Sequence, residues 1–102
     1  MLTREQILQA LIHNLSEPSR WALAILKREN RSIPKEKLGD FVNEAYQSAH
    51  GTKLLNSRHS LDDMTARLEG GGLVVVEGIG RARLYSLSPL GQDVIVMMQQ
   101  KK

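Results

Sequence analysis

Hydrophobic residues recur every three or four positions in four successive segments of the chain, and this spacing predicts four amphipathic helices. The segments cover residues 3–15, 16–29, 34–49 and 57–70. Ser16 stands at the N-cap position of the second helix, and Asn56 or Ser57 at that of the fourth, because such side chains accept hydrogen bonds from first-turn amides. Gly51 and the run Gly70-Gly71-Gly72 end the third and the fourth helix.

After these glycines the pattern changes from helical spacing to a run of β-branched residues. Residues 73–77 are Leu-Val-Val-Val-Glu, residues 78–81 have turn composition and residues 82–87 follow as a second strand, which together predict a β-hairpin. Ser88 and Pro89 then begin a last helix as its N-cap and first residue. We therefore predict a single domain over residues 1–102, of α+β class and mainly α, with a two-stranded hairpin and a C-terminal helix.

The apolar residues of the first and last helices cover a wider arc than one small core needs. A chain of 102 residues supports one modest core, so this surplus would face water in a monomer. We expect a homodimer in which residues 1–15 and 89–102 are the dimerisation helices. The residues expected at the interface are Leu8, Ile12, Val94, Ile95 and Met98. The alternative is that these side chains complete the core of the subunit.

Short motifs in the second half of the chain carry a family resemblance. The chain has Ser57-Arg58 at the predicted fourth helix, Gly72-Leu73-Val74 at the first strand, and the spacing R-x-Y-x-L-S-x-x-G from Arg83 to Gly91. With this order of elements, the motifs resemble the winged helix-turn-helix family, in particular MarR-like and PadR-like regulators. The segment from Gly78 to Gly91 is also similar to TubR, the centromere-binding winged-helix proteins of plasmid partition. The interval between Leu38 and Ser57 is several residues longer than the family pattern.

The resemblance implies a homodimeric, sequence-specific transcriptional regulator that binds double-stranded DNA. The alternatives are a plasmid or phage partition protein of TubR type and a winged-helix protein-protein interaction module. In the DNA-binding hypotheses the N-terminus of the fourth helix enters the major groove with its free amides near phosphate. Arg58 would contact a base there, while Arg81 and Arg83 would contact phosphates or the minor groove. The expected DNA-binding residues are Lys53, Asn56, Ser57, Arg58, His59, Arg67, Arg81 and Arg83.

Composition limits the other function classes. Lys and Arg number 14 against 11 Asp and Glu, a net charge of +3, which favours an anionic partner but is small for a DNA-binding protein. Asp62 and Asp63 would oppose phosphate, unless they serve at the positive end of the helix dipole. With no cysteine and scattered histidines, we expect no metal site and no cofactor. No catalytic constellation and no membrane span is recognisable, so we expect a cytoplasmic protein that is not an enzyme.

Overall fold

Within residues 1–100, which the computed structural model describes, five helices and three strands follow one another along the chain. They are α1 (Arg4–His13), α2 (Glu17–Glu29), β1 (Ile33–Pro34), α3 (Lys35–His50), α4 (Arg58–Gly70), β2 (Val74–Ile79), β3 (Ala82–Leu87) and α5 (Pro89–Gln100). The predicted helices and the predicted hairpin are all present. The last two residues of the predicted C-terminal helix, 101–102, lie outside the described residues.

Side-chain caps explain where four of the helices begin. The side chain of Thr3 accepts a hydrogen bond from the amide of Gln6 at 3.1 Å, and the Gln6 side chain accepts one from the amide of Thr3 at 2.8 Å, which is a capping box. Ser16, Ser57 and Ser88 each accept a hydrogen bond from the amide three residues on, at 3.3, 3.1 and 2.9 Å, at the starts of α2, α4 and α5. Of the two candidate caps for α4, the structure selects Ser57, so Arg58 is the first residue of that helix.

The strands form one antiparallel sheet in the order β1-β3-β2. The hairpin pairs Val74 with Leu87 at its open end and Ile79 with Ala82 at its tip. The sequence predicted these two strands only, and the structure adds β1, in which Ile33 pairs with Tyr85 of β3. A strand of two residues is too short to show a period, although the extended backbone of a residue before proline prepares Ile33 for pairing. Through β1, the start of α3 is tied to the hairpin.

Every helix and strand of the described chain contributes to the core, and this corrects the expected dimer interface. Leu8, Val94 and Ile95 are at most 3% exposed within one subunit, as the alternative interpretation held, because α1 packs against α5. Their side chains are therefore already covered without a partner. Ile12 and Met98 are half-buried against the same core. Dimer formation itself stays a prediction.

The connection between α3 and α4 is held by contacts that the sequence did not indicate. The side-chain amide of Asn43 donates to the carbonyl of Leu55 at 2.9 Å, and its oxygen accepts from the Leu55 amide at 2.7 Å. A Cβ on Gly39 of α3 would lie 2.9 Å from the Cδ1 of Leu61 on α4, so the two helices pack closely. These contacts position α4 despite the long connection. The architecture is the predicted winged helix-turn-helix, with one strand more than expected.

Candidate nucleic-acid interface

Arg58 begins α4 and reaches back towards the first turn of α3. Its Nη1 lies 2.5 Å from Oε1 of Glu36, and its Nε lies 3.4 Å from Oδ1 of Asp62, one turn further along α4. The side chains of Arg58 and Glu36 are each 64% exposed. The guanidinium expected to contact a base is therefore accessible to solvent and engaged by two carboxylates.

Asp62 belongs to an ion-pair network around the start of α4. The Nζ of Lys35 lies 2.6 Å from Oδ1 of Asp62. The pKa of Asp62 lies below its ordinary value, chiefly because of the direct contact with the Lys35 ammonium. The charges of Lys35, Arg58 and His59 act in the same direction, against the opposing effect of desolvation. Asp62 thus has a defined partner in Lys35, the first residue of α3. The sequence analysis did not select Lys35.

The hairpin is linked to the end of α4 by a second acidic residue. Arg83 of β3 forms an ion pair with Glu69 of α4, and the hydroxyl of Tyr85 donates to the other carboxylate oxygen of Glu69 at 3.3 Å. The guanidinium carbon of Arg83 also lies 6.0 Å from the centroid of the Tyr85 ring, within reach of a cation–π contact. Tyr85 is fully buried, so its ring supports the hairpin from inside and is not a stacking platform.

A depression of about 260 Å³ brings the three principal arginines together. Its lining comes from the start of α3, the start of α4 and the tip of the hairpin: Pro34, Lys35, Glu36, Arg58, Arg81, Ala82 and Arg83. Arg81 is exposed, and among residues 1–100 it has no ion-pair partner. Elements far apart in the sequence therefore present four cations around one concave surface.

The other expected residues divide between this surface and another. Ser57 lines a neighbouring depression of about 280 Å³ that shares Glu36 and Arg58 as its wall. Lys53 and Asn56 are exposed in the connection before α4, and His59 is exposed in its first turn. Arg67 instead pairs with Asp63 at 2.8 Å and lines a separate depression beside the α1–α2 junction. The structure therefore does not bring Arg67 to the surface that holds Arg58.

Two kinds of feature are absent from residues 1–100. No group of three or more His, Asp or Glu side chains is placed to hold a metal ion. No helix in this part of the chain combines the length and apolar character that crossing a membrane requires.

The fold and the arginine-lined depression define a protein of the winged-helix class. The chain is 36% identical to the DNA-binding protein TubR of Bacillus cereus over an alignment of 108 positions, which covers 98% of this chain and 89% of that protein. It therefore belongs to the TubR family. The solved complex structure of hsRosR-S1 shares the fold, with a TM-score of 0.58 at 20% identity, over 87% of this chain and 73% of that one. No protein-family model matches the chain. The similarity to MarR-like and PadR-like regulators stays a prediction.

Proposed function

We propose that this chain binds double-stranded DNA, with the first turn of α4 in the major groove and the β2–β3 hairpin against the flanking backbone. The observation that carries the proposal is the common depression that Arg58, Arg81 and Arg83 line. Membership of a family whose relative is a DNA-binding protein supports it. DNA binding of this kind needs no catalytic group and no cofactor, in keeping with a protein that is not an enzyme.

The proposed roles of the arginines differ because their environments differ. Arg58 follows directly on the N-cap Ser57, at the end of α4 whose free amides favour a nearby phosphate. From there its planar guanidinium suits the O6 and N7 atoms of a guanine. Arg81 forms no ion pair with a carboxylate within the described chain. In the proposal its guanidinium contacts phosphate and contributes affinity for any sequence. Lys53, Asn56 and His59 stay proposals as accessory contacts near the same end of α4.

We further propose a homodimer that places one α4 in each half of a DNA site. The revised interface consists of outward-facing side chains, because Leu8, Val94 and Ile95 are used inside the subunit. Ile7 on α1 and Val96 on α5 are 46% and 40% exposed. These two helices pack against each other, and we propose that their outer sides together contact a second copy.

Two cellular roles remain as proposals for a DNA-binding protein of this kind. Transcriptional regulation requires an operator near a promoter, whereas partition of a plasmid or phage requires clustering on iterated repeats. The relation to TubR over nearly the whole chain favours the partition role. A nuclease footprint over the DNA that flanks the gene distinguishes the two roles, since a single isolated operator contradicts partition and an array of repeats contradicts simple regulation.

Selection of duplexes from a random pool tests DNA binding itself. The expected result is enrichment of related sites, retarded with an affinity that falls steeply with salt, by a logarithmic slope of about 0.9 per phosphate contacted. Folded protein that retards no duplex at low salt would contradict the proposal and favour the protein-interaction module.

A further inference from the structure

The side chain of Arg83 is directed to the inner face of the hairpin. Side chains alternate between the two faces of a strand, so Arg83 and Tyr85 of β3 share a face, and Tyr85 is fully buried. The guanidinium carbon of Arg83 lies 6.0 Å from the centroid of the Tyr85 ring. Arg81, by contrast, is exposed in the turn between β2 and β3. Of the two arginines of the hairpin, Arg83 is therefore the one that reaches back towards α4.

Glu69, near the C-terminal end of α4, receives this guanidinium. Its Oε1 pairs with Arg83, and its Oε2 accepts a hydrogen bond from the hydroxyl of Tyr85 at 3.3 Å. Because Tyr85 is fixed in the core, it also holds the carboxylate in place. The side chain of Glu69 is 34% exposed, against 64% for Glu36, the partner of Arg58. The ion pair of Arg83 is therefore more firmly positioned than that of Arg58.

The pair between Arg83 and Glu69 supports the hairpin beyond the end of its pairing with β1. The last residue pair between β1 and β3 joins Pro34 to Leu84. Arg83 is the next residue towards the tip, so its side chain extends the support of β3 past the three-stranded part of the sheet. Arg81 lies only two positions further along, at the turn. The place of Arg81 thus depends on a segment that Arg83 ties to α4.

We propose that Arg83 is a positioning residue, which stays paired with Glu69 when DNA binds and holds the hairpin tip so that Arg81 contacts phosphate. The inference rests on the proposed DNA binding. It gives Arg83 a different role from the phosphate contact that the sequence led us to expect. A tip that is already held in the free chain loses little conformational freedom on binding, and this raises the affinity for any duplex.

The contacts within the chain favour this division of roles between the two arginines. To reach phosphate, Arg83 gives up an ion pair worth up to about fivefold in an equilibrium constant and a cation–π contact worth about two- to fivefold. It also leaves the carboxylate of Glu69 unpaired near the DNA backbone. Arg81 has no ion-pair partner among residues 1–100, so a phosphate contact costs it no such pair.

A charge swap tests the role of Arg83, because it keeps the ion pair while it reverses the charge that would meet DNA. The variant combines Arg83→Glu with Glu69→Arg and has the net charge of the wild-type chain. Binding is measured at several salt concentrations on a duplex that the wild-type chain selects from a random pool. We expect the swap to bind within about twofold of wild type, with an unchanged salt slope. Arg83→Glu alone should bind about fivefold more weakly or worse, because two carboxylates then face each other.

A direct phosphate contact by Arg83 predicts a different result for the swap. A carboxylate would then stand against phosphate, and a salt slope lower by about 0.9 or more would overturn the inference. The matched control combines Arg81→Glu with Glu69→Arg, which carries the same charges without restoring the pair. This control should bind weakly. Wild-type affinity in the control would also overturn the inference, because the number of charges and not the pair would then set the affinity.

A second variant keeps the test decisive if circular dichroism shows that the swap does not fold. Arg83→Gln combined with Glu69→Gln also keeps the net charge and removes the ion pair. We expect its affinity to fall by up to about fivefold with the salt slope of wild type, whereas a slope lower by about 0.9 would overturn the inference. If the folded wild-type chain itself binds no duplex, DNA binding is contradicted. That result is distinct from a wild-type chain that binds while the variants lose salt dependence.

Discussion

The side chain of Asn43 holds the backbone of Leu55 from both sides, donating to its carbonyl at 2.9 Å and accepting from its amide at 2.7 Å. Leu55 itself is only 6% exposed, so the connection between α3 and α4 is anchored twice, by an apolar side chain and by a backbone clamp. Arg58 begins α4 three residues later. The clamp thus sets where the first turn of α4 lies relative to α3.

Asn43→Ala should cost about 1 to 3 kcal/mol of the free energy of unfolding, because it leaves two partly buried backbone groups without partners. Urea denaturation measures this loss. The control is Gln47→Ala on the same helix, where the side chain is exposed and a change near zero is expected. Equal stability of the two variants would show that water replaces Asn43 without penalty.

Gly91 of α5 lies against the backbone that enters β2. A Cβ at this position would lie 2.1 Å from the carbonyl oxygen of Leu73, and a backbone atom cannot move aside as a flexible side chain does. Gly91→Ala should therefore destabilise the fold by roughly 1 to 3 kcal/mol or more. A thermal or urea transition measures the change.

The matched control for this substitution is Gly70→Ala at the end of α4. No atom lies within 4 Å of a Cβ added there, and Gly70 has no positive φ. Alanine restricts the unfolded chain more than glycine does, so we expect a gain of about 0.4 to 1 kcal/mol. The two glycine substitutions thus have opposite expected signs, and a loss at both positions would contradict the steric account.

Asp62 makes stability depend on pH in the acid range. Its pKa is lowered in the folded chain from the ordinary 3.8, chiefly by the contact with the Lys35 ammonium. The ion pair therefore contributes stability at pH values above this ordinary pKa, and the contribution is lost as the pH falls through the lowered pKa. Asp62→Asn should therefore melt below wild type at about pH 5, with the difference shrinking towards about pH 3 and below.

The control for this titration is Asp40→Asn, because Asp40 has no ion-pair partner among residues 1–100. The difference between this control and wild type should not shrink in the same way. A gap between Asp62→Asn and wild type that stays constant from pH 5 to pH 3 would show that the Lys35 contact does not depend on the charge of Asp62.

Local signals predicted most of the fold, and contacts distant in sequence account for what they missed. The caps of α1, α2, α4 and α5 and the hairpin follow from residues within a few positions of one another. The pairing of Ile33 with Tyr85 joins residues more than fifty positions apart, and no local period reports it. That pairing brings the start of α3 to the hairpin. The position of Lys35 and Glu36 beside Arg58 therefore could not be predicted from local signals either.

The position of Arg67 is different, since sequence spacing alone would have revealed it. Arg67 follows Arg58 by nine residues on one helix, which is about two and a half turns and places the two side chains on opposite sides. Arg67 was expected at the DNA because it is positive and falls in the half of the chain that would face DNA, although its angular position argued against a shared surface. Arg67 instead pairs with Asp63, four residues earlier on the same helix, in an ordinary exposed ion pair.

Arg58 and Arg81 should differ in what their loss does to DNA binding. Arg58→Ala should reduce the discrimination between a duplex that the wild-type chain selects from a random pool and a scrambled duplex of equal composition. Loss of the guanine contact lowers the difference between the two binding free energies by about 1 to 3 kcal/mol. Arg81→Ala should weaken both duplexes alike and lower the salt slope by about 0.9. Titrations of both duplexes at several salt concentrations measure the two effects. Equal loss on both duplexes for Arg58→Ala would refute its role in base recognition.

The outer sides of α1 and α5 should carry the dimer. Val96 is 40% exposed on α5, so in a monomer Val96→Glu places a charge in water at little cost. In the proposed dimer the same charge would be buried at the interface, and we expect dissociation to become easier by about tenfold or more. Sedimentation equilibrium measures the change.

Val75→Glu is the matched control for the dimer. Val75 on β2 is 45% exposed, so the same side chain is introduced at similar exposure on a different element. The association constant of this variant should equal that of wild type. A weakening of both variants by the same factor would indicate a general effect of charge, and an unchanged dimer in Val96→Glu would place the interface away from α5.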